Sequence, residues 1–134
     1  VGDAPPSVDV SGVEALGMPP RLRDGETFDV VLASDILYEP QHSLQLANSV
    51  KRRLAKHGRC IMLLPIRDSS LMEAFLGGIR KHGMRFCVQR LDSEVWNQEG
   101  ICGSCDYEGG FNWLYAEWRD APSTDWGLEL EWIE

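Results

Sequence analysis

The stretch Phe28-Asp-Val-Val-Leu-Ala-Ser-Asp-Ile-Leu-Tyr-Glu-Pro40 decides how the chain reads. Phe28 to Ala33 is a short, almost continuous apolar run, the pattern of a parallel strand buried on both faces. The run stops at Ser34 and Asp35, which places a carboxylate at the carboxyl end of a strand. In open α/β sheets, ligands bind in the crevice outside those ends. A charged side chain is costly to hold there unless it is solvated, paired or in use. Tyr38 follows three residues later, near enough for its ring to border the same crevice.

Working outward from this block, Leu44, Ala47, Val50 and Leu54 recur at helical spacing. They predict a helix near residues 41–56, with Lys56-His57-Gly58 as its stop. Arg59 to Leu64 reads as a second buried strand, closed by Pro65. Ser70-Leu-Met-Glu73 has the form of a capping box and opens a helix near residues 70–82. Its apolar stripe is Leu71, Met72, Phe75, Leu76 and Ile79, and Gly83 ends it. Met84 to Leu91 predicts a third strand, and a Gly-rich loop leads to a fourth at Phe111 to Trp118. Leu128, Leu130 and Trp132 alternate with Glu129 and Glu131, the pattern of a short last strand. Residues 1–27, with Pro5-Pro6 and Pro19-Pro20, read as irregular. The order is that of an α/β unit. Right-handed crossovers make the first three strands parallel, and the fourth, with no helix before it, pairs antiparallel.

The block at the first strand end resembles a known family. Asp35-Ile-Leu-Tyr38 is similar to the Asp-x-x-Tyr motif of the class I, seven-β-strand methyltransferases that use S-adenosylmethionine. Within that class the chain is most similar to the protein-lysine methyltransferase-like group called methyltransferase family 16. Arg59-Cys-Ile-Met-Leu-Leu-Pro-Ile-Arg-Asp68 resembles the group's next strand and loop, and Phe111-Asn-Trp-Leu-Tyr-Ala-Glu-Trp-Arg119 its last strand. The likeness spans residues 28–119, the C-terminal half of such a domain, with 120–134 as an acidic extension.

That resemblance implies a partial Rossmann-like sheet, mainly parallel with a terminal antiparallel strand that inserts between the two before it. It implies S-adenosylmethionine as cofactor and a protein lysine as substrate. Asp35 would be catalytic, orienting the lysine, and Tyr38 would line the lysine channel. The backbone of Ser34 would lie beside the cofactor, with Arg67 and Asp68 on the same rim. The family's cofactor half opens with a Gly-x-Gly loop, and none occurs in this sequence. Nor does an aromatic residue precede Phe28, where the family places one against adenine. The expectation is therefore a shortened domain that binds S-adenosylmethionine poorly, is catalytically silent alone, and leaves the Phe28 strand as a sheet edge. The alternative is a methyltransferase-like remnant that acts as a binding module without turnover.

Composition narrows the partners. A net charge of −8 and a pI near 4.8 suit nonspecific nucleic-acid binding poorly, because that binding depends on phosphate neutralisation by cations. Lys51-Arg52-Arg53 reads as the last turn of a helix, favourable against its dipole. The acidic segment from Glu117 onward suits attraction of a basic protein substrate. No apolar run approaches the ~20 residues that cross a bilayer, so no membrane association is expected and a cytoplasmic location is. Cys60 and Cys87 read as small buried hydrophobes. Cys102-Gly-Ser-Cys105 has the spacing of a redox pair or half a zinc site, but no second ligand pair accompanies it, so no metal is expected. Trp113, Tyr115 and Trp118 read as core, and His42, His57 and His82 as structural or solvated.

Overall fold

The computed structural model describes residues 21–65, 68–91, 110–123 and 125–134. The elements run β1 (Phe28–Ser34), α1 (Pro40–Arg53), β2 (Leu54–Pro65), α2 (Ser69–Lys81), β3 (Met84–Arg90) and β4 (Phe111–Trp118). They form one four-stranded mixed sheet in the order β1-β2-β4-β3. β1 pairs parallel with β2, while β4 pairs antiparallel with both β2 and β3. β1, β2 and β3 therefore share one direction, as the crossovers require. Only one of the three pairings is parallel, because β4 separates β2 from β3. The expectation of a mainly parallel sheet holds for strand direction and fails for the ladders.

Both helices cover one face of the sheet. Cys60, Met62 and Leu64 of β2, Leu114 and Ala116 of β4, and Met84 and Phe86 of β3 point into the core. Leu71, Met72, Phe75 and Ile79 of α2 meet them, as the apolar stripe predicted. Each of the Leu, Ile, Met and Phe side chains among them contributes roughly 1.5–3 kcal/mol by leaving water. The expected stripe beside helix α1 holds at Ala47, Val50 and Leu54 and fails at Leu44. Ser43, Ala47 and Val50 face inward while Leu44 is 63% exposed. The small residues allow a close helix crossing, at which Ser43 Oγ donates to the carbonyl of Leu71 at 2.7 Å.

Several boundaries differ from the sequence expectation. α1 ends at Arg53, and Lys56, His57 and Gly58 belong to β2. Phe28 opposes Leu54 whereas Val30 opposes Arg59, so the segment 55–58 bulges from the ladder. A Cβ on Gly58 would meet Leu54 Cδ1 at 2.8 Å and the Ala55 carbonyl at 2.9 Å, which explains the glycine. The cap of α2 is Asp68, whose carboxylate accepts from Ser70 N and Oγ, rather than the expected Ser70 box. The alternating end of the chain makes only an isolated bridge, Ile133 to Phe86, instead of a strand.

The β1 strand departs most from its pattern. Its apolar run predicts burial on both faces, yet Phe28, Val30 and Leu32 are 38%, 51% and 70% exposed. Among the described residues, nothing pairs with β1 on its outer side, so it is an edge of the described sheet. Residues 1–20, Arg67, Cys102, Cys105 and the Gly-rich loop lie outside the described residues. No helix among the described residues is long and apolar enough to cross a membrane.

Candidate functional site

The carboxyl ends of β1 and β2 and the start of β4 form one rim, since Ser34 opposes Leu63 and Pro65 opposes Phe111. Ser34, Asp35 and Tyr38 all lie at that rim, where the sequence places them. Asp35 has φ of 49°, the one left-handed non-glycine residue among those described. Its amide donates to the carbonyl of Leu63 at 3.1 Å, so it closes the parallel ladder and turns the chain at once. Asp and Asn tolerate this region better than other side chains. The turn sends Leu37 into the core, 6% exposed, and brings Tyr38 out to 52%.

Tyr38 and the start of α1 are fixed by His42, which is thus structural rather than merely solvated. His42 Nδ1 accepts the amides of Tyr38 at 3.2 Å and Glu39 at 3.1 Å. The Tyr38 and His42 rings meet edge to face at 6.2 Å. Pro40 completes the start at the first helical position, where its missing N–H costs nothing. A Tyr-Glu-Pro-x-His spacing was the signal for this arrangement, and it is read only once His42 is known to face back along the helix.

Behind Ser34, on the face without helices, lies an open apolar depression of about 600 Å³. Leu32, Ala33, Ser34, Ile61, Leu63 and Trp113 line it. Trp113 is therefore a surface lining residue and not core; Tyr115, at 8% exposure, is buried. Among the described residues, the lining contains no carboxylate to hold ribose hydroxyls and no cation to hold a carboxylate. For a nucleoside cofactor these residues supply a single apolar wall. Among the described residues, no group of three His, Cys, Asp or Glu is placed to hold a metal.

Other rim and cysteine candidates are committed elsewhere. The Asp68 carboxyl is held below its ordinary value by its Ser70 hydrogen bonds, which fits a cap and not a base. Burial pushes the Cys60 thiol up to about 12, so it carries no thiolate chemistry at neutral pH. The basic triplet lies in the last turn of α1, as expected. There Arg52 pairs with Asp24 at 3.6 Å, and Arg53 donates to the carbonyls of Arg23 and Glu26. His82, at the C-cap of α2, bonds Asn48, and desolvation with Lys51 and Lys81 nearby lowers its pKa. No model of a known protein family and no curated protein matches the chain.

Proposed function

We propose that this chain forms the substrate side of a class I, Rossmann-like S-adenosylmethionine-dependent methyltransferase domain, acting on protein lysine when complete. The observation that carries the reading is Asp35: a carboxylate at the end of β1, in a left-handed turn, on the rim where α/β sheets bind ligands. Two features support it. The motif Asp35-Ile-Leu-Tyr38 resembles that of the family, and β4 inserts antiparallel between β2 and β3.

Methyl transfer to an amine is an in-line displacement, so the protein must orient the lysine and receive the charge that develops on nitrogen. Asp35 would take both roles by accepting a hydrogen bond from the lysine nitrogen and drawing its proton away. Tyr38, exposed beside it, would border the lysine channel. The Ser34 backbone would lie against S-adenosylmethionine, which supplies the activated methyl group in the complete domain. The apolar depression behind Ser34 is one wall of such a pocket, and its described residues lack the polar groups that would fix a ribose or an amino acid. Affinity from one wall is small, because ligand sites depend on several convergent contacts. A cytoplasmic setting and a protein partner belong to the same reading.

The test joins titration calorimetry to a radiolabel transfer assay. S-adenosylmethionine should show no micromolar binding to these residues alone. A domain completed with the family's Gly-x-Gly half should transfer methyl groups, and Asp35→Asn should abolish transfer without unfolding it. Micromolar binding by the chain alone would refute the one-wall reading, and undiminished transfer in Asp35→Asn would remove Asp35 from the chemistry. The exposed edge of β1 and the depression beside it favour a second reading, a binding module without turnover. That reading predicts a silent completed domain.

A further inference from the structure

The C-terminal segment crosses the lower half of the helix-free sheet face as a strap, and it is held in an unusual way. Among the described residues from Arg119 to Glu134, none is buried. Leu128 and Ile133 are 56% and 48% exposed, and the apolar hold is partial, through half-buried Trp126, Leu130 and Trp132. The polar hold is centred on Glu117 of β4, which is fully buried. Its Oε1 accepts the Ser123 amide at 2.9 Å and the Trp126 indole N–H at 2.7 Å, while Oε2 accepts Arg85 Nε at 2.8 Å.

Cations beside and beneath the strap meet one acid, polar groups and rings upon it. Lys56 pairs with Asp120 at 3.1 Å, and Arg59 donates to Ser123 Oγ and to the Asp125 carbonyl. The Arg59 guanidinium lies 5.3 Å from the Trp126 ring, and that of Arg85 4.5 Å from Trp132. Trp126 also meets Tyr115 edge to face at 5.7 Å. Two depressions flank the strap. One of about 370 Å³ lies between His57, Arg59 and Pro122, and one of about 510 Å³ between Cys87, Gln89 and Glu129. At its far end, two backbone bonds tie Ile133 to Phe86.

We propose that this strap is a displaceable autoinhibitory cover, and that the groove of Lys56, Arg59, Arg85 and Tyr115 beneath it takes an acidic, tryptophan-bearing segment of a partner protein. The strap is itself an example of such a ligand, seated by the Lys56–Asp120 pair, cation–π contacts and hydrogen bonds to Glu117. Segments with few buried apolar contacts open locally at low cost. Glu117 keeps Arg85 as a partner when the strap leaves, so the buried charge is not stranded. A tethered ligand competes at high effective concentration, which keeps the groove closed until a stronger acidic segment arrives.

Hydrogen exchange on the wild-type chain is the first test. Amides of residues 121–133, Pro122 aside, should exchange while those of β4 stay protected; exchange of both together would make the strap part of the cooperative fold and overturn the proposal. The second test adds a labelled synthetic peptide of residues 120–134 to the full-length chain carrying Trp126→Ala and Trp132→Ala. Saturable binding is expected, at least about tenfold tighter than to wild type, whose own strap competes. It should weaken as salt rises and vanish for a peptide with its acids replaced by lysine. Equal binding to both proteins, or none to the doubly substituted chain, would overturn the proposal.

Discussion

The amide of Asp35 donates to the carbonyl of Leu63, so the last rung of the parallel ladder is made by a residue in left-handed conformation. Asp35 thus has a backbone duty as well as any chemical one. An alanine there meets the steric penalty that L-residues incur in this region, about 1–2 kcal/mol. Asp35→Asn, which tolerates the conformation and removes the charge, should unfold close to wild type in a denaturant melt, and Asp35→Gly likewise. Asp35→Ala should be less stable by about 1 kcal/mol or more. If all three melt alike, the turn is not strained and alanine is a fair probe of the carboxylate.

Two adjacent glycines in α2 should respond in opposite directions. A Cβ on Gly77 would have nothing within 4 Å, whereas one on Gly78 would lie 2.9 Å from Ala47 Cβ on α1. Gly77→Ala should stabilise the chain by up to about 1 kcal/mol through helix propensity. Gly78→Ala gains the same propensity but forces the helices apart, at a cost of about 1–3 kcal/mol. Thermal melts of the pair should diverge, and a stabilised Gly78→Ala would refute the close crossing.

The cap of α2 should be visible as a pH dependence. Hydrogen bonds from Ser70 lower the Asp68 pKa from its ordinary 3.8, so the folded state binds this proton less readily than the unfolded state. Its contribution is complete above the unfolded value and is lost as pH falls through the folded one. Asp68→Asn, an acceptable neutral cap, should match wild type at low pH and fall below it above pH 4. A gap that persists unchanged at pH 2 would show that the carboxylate charge is not what the cap uses.

The order of elements was legible in the sequence because each carries a local period. The stripe of α2 and the alternation in β3 need no partner to be read. Asp68 was missed as a cap because Ser70-Leu-Met-Glu73 matches a capping box equally well, and only the backbone turn at Asp68 distinguishes them. The bulge at 55–58 was missed for a related reason: Lys56-His57-Gly58 looks like a helix stop until β1 is placed beside it.

Local pattern by itself determined that Phe28–Ala33 is a strand and that a carboxylate ends it, since apolar runs and polar breaks are properties of neighbouring residues. Tertiary structure alone decided which faces are covered. The same apolar run reads as buried, yet Leu32 and Trp113 border an open depression, because burial depends on what other elements lie across the sheet. The left-handed turn at Asp35, the crossing at Ala47 and Gly78, and the donors gathered by Glu117 arise in the same way. Each joins atoms whose meeting is set by the fold, or a backbone angle that the ladder imposes, and no spacing along the chain encodes it.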